Sequence, residues 1–222
     1  MMLTFSKQDF IVELSEEWVC ELIIENQREF SNIIKTLVLQ KECDNEEIIL
    51  SHNYEIQKFN NNVEIITSFI PFEINKKELL TKLYNQLKKI SVNEEWYEKT
   101  VRILSNVENY IYEITEDFDE GISVTSPADI SGLLKVFDIE FDVDSQSLAE
   151  NLFDYAQIVR KYLAKSVFIS VNLRSYLMDD ECKMLYKTLT DHKICWVCLE
   201  SCERPKLDFS KRVILDKDLC LI

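Results

Sequence analysis

Hydrophobic positions change period several times along this chain of 222 residues. Residues 10–14 and 20–25 are short β-rich runs, and 48–50 and 63–69 read as strands too. Between them Asn26 starts a helix, with Glu29 three residues on as a capping-box partner. Phe30, Ile33, Ile34, Leu37 and Val38 follow at helical spacing, and 41–47 is a polar loop. From Asn75 the period is helical. Asn75 and Glu78 resemble a second capping box, and Leu79, Leu80, Leu83, Tyr84, Leu87 and Ile90 form one apolar stripe. A further helix is expected from near Asn93 to about Glu116, burying Tyr97, Val101, Leu104, Ile111 and Ile114. Ser126-Pro127-Ala-Asp129 then predicts a short helix with proline at its first position. Ile139, Phe141 and Val143 alternate like a strand, and 145–164 is helical again.

Strand character returns at 166–171, an almost continuous apolar run of the kind buried on both faces. A helix capped near Asp179 and a strand at 194–199 complete a βαβ-like unit. Residues 213–215 and 219–222 read as final short strands. Neither the first 72 residues nor the last 57 make an independent core of comfortable size. The pattern therefore predicts an α/β protein with one discontinuous head, 1–73 plus 166–222, and a helical arm inserted at 74–165. There is no internal repeat and no linker rich in proline or serine.

Charge changes the picture in two places. The net charge is −15, which argues against non-specific attraction to nucleic acid or anionic membrane when the chain is taken whole. Residues 1–73 carry 14 acids against 5 bases, whereas 76–102 carry 7 bases against 4 acids. Basic surface is therefore local, and Lys77, Lys82, Lys88 and Lys89 all fall outside the apolar stripe. The seven cysteines show no paired framework, and no apolar run has the length of a membrane helix. MMLTFSKQDF lacks the basic and apolar stretches of a signal peptide. These features lead us to expect a soluble, reduced, cytoplasmic protein.

The second place is the stretch between Arg102 and Lys135, which has seven carboxylates and neither lysine nor arginine. It also holds both glycines of the chain, Gly121 and Gly132. Glu113, Glu116, Asp117, Asp119 and Glu120 fall where a helix is expected to end, and negative charge there opposes the helix dipole. No histidine or cysteine lies between His52 and Cys182. A site of carboxylates and carbonyls suits a hard cation, Ca2+ before Mg2+. The alternative is a solvated acidic loop, in which Asp129 only caps its helix. Asp117-Phe-Asp119-Glu120-Gly121 has the wrong spacing for an EF-hand.

Other chemistries find less support. With two glycines in the chain, neither a Walker-type loop nor a dinucleotide fingerprint can be built. A nucleophile elbow is equally impossible. His52 and His192 read as ordinary polar residues. Cys195-Trp-Val-Cys198 lies in an expected strand, where residues three apart point to opposite faces, so the pair reads as buried hydrophobes rather than zinc ligands.

Several segments carry a family resemblance. Val167-Phe-Ile-Ser-Val-Asn172, Tyr176-Leu177, Asp180-Glu181, Trp196-Val-Cys-Leu-Glu200 and Val213-Ile-Leu-Asp216-Lys-Asp218-Leu-Cys-Leu-Ile222 come in this order. With Leu3-Thr-Phe5 and the junction at 20–27, this order resembles the type II-A CRISPR adaptation proteins, which bind double-stranded DNA ends and depend on calcium. The resemblance implies a head of nucleotidase-like topology without a phosphate loop, plus an α-helical leg. It implies four copies in a ring whose basic inner surface takes a DNA duplex, with calcium near the head–leg hinge. The implied role is spacer acquisition beside the CRISPR integrase and the effector nuclease, without catalysis. Glu113, Glu116, Asp117, Asp119 and Glu120 match the acidic hinge in place and character, and Asp129 is a further candidate. Gly121 and Ser126-Pro127 depart from it. Lys76, Lys77, Lys82, Lys88, Lys89 and Arg102 are the candidate phosphate contacts. Two other readings of the same residues stay open, a metal-dependent phosphoesterase or nuclease using the acidic stretch and a protein-only interaction module.

Overall fold

A computed structural model describes residues 1–42, 47–116, 118, 121–125, 127, 129–142 and 147–222. The chain divides into two compact units, Met1–Ile74 with Val143–Ile222, and Asn75–Asp142.

The first unit is α/β and holds two sheets. Strands β1 (Met2–Phe5), β2 (Phe10–Glu13), β4 (Ile48–His52) and β5 (Glu55–Gln57) form an antiparallel sheet in the order β2-β1-β4-β5. Strands β3 (Val19–Ile24), β6 (Val63–Ile66), β7 (Val167–Val171), β8 (Cys195–Glu200) and β9 (Ser210–Leu215) form a parallel sheet in the order β6-β7-β8-β3-β9. β3 pairs on one side with β8, Cys20 opposite Val197, and on the other with β9, Val19 opposite Ser210. The earliest strand of this sheet thus lies between its two latest. Parallel strands have no hairpin to hold them, so the two ends of the chain must fold together.

Alternation along each buried strand gives the parallel sheet two different faces. Leu22, Ile24, Ile65, Ile169, Val197 and Leu199 join Leu3, Phe5, Val12 and Leu50 of the antiparallel sheet in the main core. Ile33 and Leu37 of α1 (Gln27–Glu42) complete it. The opposite face carries Glu21, Glu64, Ser170, Trp196, Cys198 and Glu200, all buried. Two helices cover it. From α6 (Leu148–Leu163), Tyr155 donates to Glu64 at 2.6 Å. From α7 (Asp179–Asp191), Tyr186 donates to Glu21 at 3.3 Å and to the Cys198 sulfur at 3.2 Å. Trp196 stacks on Phe168 and donates its indole N–H to Ser170 at 2.9 Å. The short α2 (Phe59–Asn62) leads into β6.

α6 belongs to this unit, so the inserted segment closes at Asp142 and not at residue 165. The physical reason is the apolar face of α6, where Leu152, Tyr155, Ala156 and Val159 are buried. Ser147 caps the helix by accepting the Glu150 N–H, and Ala164 ends it in the left-handed region.

The second unit contains α3 (Lys77–Ser91), α4 (Tyr97–Thr115) and α5 (Ser131–Val136). Each starts later than its sequence signal suggests. Asn75 does not cap α3. Its side chain accepts the Phe141 N–H at 2.9 Å and donates to the Phe141 carbonyl at 3.1 Å, engaging a backbone that the alternation of 139–143 assigns to a strand. No strand forms there among the described residues. Asn93 caps a preceding turn by accepting the Trp96 N–H. α5 begins after Pro127 rather than on it, and Asp129 accepts the Ser131 N–H at 2.7 Å. At the C-terminus, residues 219–222 contribute a single bridge, Leu215 to Leu221, rather than a strand.

Candidate functional site

The basic residues of the inserted unit lie on α3 and α4. On α3, Lys77 and Lys88 are eleven residues apart, about three turns, and share one edge of the apolar stripe. Lys82 and Lys89 are seven apart, about two turns, and share the other edge. Lys77, Lys82, Lys88 and Lys89 are exposed, while Lys76 is half-buried at the N-cap. Arg102 is exposed on α4. The six candidates therefore form two flanking rows and an outlier, not one stripe. A recess of about 520 Å3 between α3 and α5 is lined by Lys77, Tyr84, Asn75, Ser131 and Lys135, which adds one lysine that the sequence reading did not single out.

Lys88 has a partner. Its ammonium lies 2.5 Å from the Asp129 carboxylate, which also accepts the Ser131 N–H. Lys88 first, and then Ser131, hold the Asp129 carboxyl well below the ordinary carboxylate range. Asp129 is thus a helix-start residue with a cation already beside it.

Among the other acidic candidates, Glu113 lies on the last turn of α4 and Glu116 is its C-cap, both exposed. Three residues apart on a helix, they share a face. The last turn holds no basic residue, so helix-end carbonyls and two carboxylates gather in one place without a counter-charge from that turn. These oxygens fit a hard cation. Asp117, Asp119 and Glu120 lie outside the described residues.

α4 itself is less covered than its periodicity implies. Tyr97, Val101 and Ile114, expected inside, are exposed, as are Ile103, Val107, Tyr110 and Tyr112. Leu104 and Ile111 are half-buried. α3 packs against α5, and most apolar side chains of α4 stay at the surface.

The cysteine pair behaves as buried hydrophobes. Cys195 faces the main core, whereas Cys198 meets Tyr186 and Ser170 on the other side of the sheet. Burial pushes the Cys195 thiol up to about 12 and the Cys198 thiol well above its ordinary value. Among the described residues, no three histidine, cysteine or acidic side chains group as a metal site.

One cluster escapes the sequence reading altogether. Arg174, in the 3-10 turn Leu173–Ser175 that follows β7, is buried and donates to Glu21 at 3.0 Å and to Asp179 at 2.8 Å. Arg212 of β9 approaches Glu21 from the other side at 2.8 Å. The available signal was a charged residue inside an apolar run, Glu21 in Val-Cys-Glu-Leu-Ile-Ile.

The comparison with protein families is specific. Residues 40–219 match the family described as CRISPR-associated protein (Cas_Csn2). The matched span runs from the end of α1 through β9, and so covers the whole inserted unit and four of the five parallel strands. No helix among the described residues is long and apolar enough to cross a membrane. With most of its length matched, the chain belongs to the Cas_Csn2 family of CRISPR-associated proteins.

Proposed function

We propose that the chain is a non-catalytic, calcium-dependent binder of double-stranded DNA ends. It acts as a homotetrameric ring during spacer acquisition, beside the CRISPR integrase and the effector nuclease. Family membership carries this reading. Exposed lysines on both edges of the α3 stripe support it, because ammonium groups neutralise phosphates without reading bases. With only two glycines, a glycine-built phosphate cradle is out of reach, so side chains do the work. Glu113 and Glu116 would hold calcium, together with whichever of Asp117, Asp119 and Glu120 reach it. Bound there, the ion supplies the positive charge that the end of α4 lacks.

A gel shift compares linear duplex with covalently closed circles, each in calcium and in chelator. The expected result is a shift of linear DNA in calcium alone, weakening steeply with salt. Equal shifts in chelator, equal preference for circles, or cleavage of the duplex each overturn the proposal.

A further inference from the structure

At one end of the parallel sheet, β8 finishes on Glu200, whose side chain is 2% exposed. Its Oε1 accepts the Arg174 N–H at 3.1 Å. Its Oε2 is buried with no hydrogen-bond partner among the described residues. An unpartnered buried carboxylate oxygen is costly when the group is charged and much less so when it is neutral.

The cations nearby make their ion pairs elsewhere, although the Nε groups of Arg174 and Arg204 are themselves buried without a hydrogen-bond partner among the described residues. The Arg174 guanidinium serves Glu21 and Asp179. Arg212 serves Glu21 and, at 3.0 Å, Glu203. Arg204 donates to the Ser175 hydroxyl at 3.2 Å. Glu21 on β3, Asp179 on α7 and Glu203 each have a guanidinium within ion-pair distance, and Glu200 has none among the described residues. The remaining titratable groups facing it are Cys198 on its own strand and Cys182 on α7, and burial keeps both thiols neutral. Loss of hydration outweighs the attraction of Arg174 and Arg204 and raises the Glu200 carboxyl to about 7.

Glu200 also closes a turn. Residues 172–175 are tied to the end of β8 by four bonds, two of them made by Asn172. These run from the Asn172 N–H to the Leu199 carbonyl at 2.8 Å, and from the Ser201 N–H to Asn172 Oδ1 at 2.9 Å. The Arg174 N–H to Glu200 is the third and Arg204 to Ser175 the fourth. Asn172 is held in the left-handed region at φ 55°, a conformation sustained by its surroundings.

We infer that Glu200 is a proton-operated latch on this turn. Uncharged, it lets residues 172–175 close on the end of β8; charged, it favours an open turn in which water reaches Oε2. The sign follows from linkage. In the open turn the carboxyl titrates near 4.5, its ordinary value, and in the closed turn near 7. Opening therefore grows about tenfold per pH unit between those values, up to roughly 300-fold, and levels off above. The latch is shut in acid and loosest from neutrality upward.

The test uses the intact chain. The Glu200 carboxyl carbon is followed by NMR from pH 4 to 9, and protection of the Arg174 and Ser201 amides is followed over the same range, corrected for intrinsic exchange. The expected result is a Glu200 titration near neutrality, with protection of both amides falling up to roughly 300-fold on the way there. In Glu200→Gln, protection stays high and flat with pH. A Glu200 titration in the ordinary carboxylate range overturns the inference without any variant. Titration near 7 with protection that ignores pH overturns it too.

Discussion

Burial decides what an ion pair is worth, and two pairs in the head make the contrast. Lys183 lies 2.5 Å from Asp208 with both side chains at least half exposed, so Lys183→Ala should leave stability almost unchanged. Arg174 and Glu21 are 3.0 Å apart with both side chains almost fully buried. Removing the guanidinium leaves Glu21 with Arg212 as its one ion-pair partner among the described residues, beside the Tyr186 hydroxyl, and Arg174→Met should cost roughly 3 kcal/mol. Urea denaturation of the two variants checks the difference, and equal midpoints would contradict it. pH dependence follows residue by residue. Glu200 is raised by desolvation above its ordinary value, to about 7. Its contribution is complete below pH 4.5 and is lost as pH rises through 7, roughly 3 kcal/mol in all. Asp129 has the opposite sign, since Lys88 lowers it, and its contribution is lost only as pH falls through the acid range. Head stability measured from pH 5 to 8 should therefore decline, and Glu200→Gln should flatten it.

At the scale of elements, α4 ends on its own electrostatic problem. Glu113 and Glu116 lie at the negative end of the helix dipole, with no base in the last turn. In chelator the double variant Glu113→Gln, Glu116→Gln should be more stable than the parent by about 0.5–2 kcal/mol. Calcium should raise the melting temperature of the parent and not of the variant. A variant that melts lower in chelator, or gains as much from calcium, would remove these residues from the ligand set. The sequence made such features legible where periodicity and burial coincide. β7 reads as an almost continuous apolar run because both its faces are covered. The sequence failed where partners are distant. Asn75 has the spacing of a cap, yet its side chain bonds Phe141, 66 residues away. The pattern of α6 predicts a helix but not that Tyr155 reaches Glu64 in β6. Periodicity also shows that α4 has apolar positions without showing whether anything covers them. Of the candidate site, the acidic stretch and the lysine rows were legible from charge alone, whereas the pairing of Lys88 with Asp129 is a tertiary fact.

For the whole molecule the difficulty is a net charge of −15 on a chain proposed to hold DNA. Long-range attraction is unfavourable, so binding must rest on local cations at short range, screened within about 10 Å at 0.1 M salt. Lys82 and Lys89 share one edge of α3 and are exposed. If both neutralise phosphates, Lys82→Gln with Lys89→Gln should lower the slope of log affinity against log salt by about 1.8 for each protomer that contacts the duplex. Lys88 is different, because Asp129 already neutralises it. Lys88→Gln alone should change the slope by much less than one. Asp129→Asn frees the ammonium and should steepen the slope by up to about 0.9 for each contacting protomer while binding tightens at low salt. The same variant separates the two roles open to Asp129. A carboxylate occupied by Lys88 and the Ser131 N–H is a structural partner rather than a free metal ligand, so Asp129→Asn should leave the calcium-induced rise in melting temperature intact. If that rise disappears, Asp129 belongs to the calcium site, and Lys88 must give way to the ion whenever the metal binds.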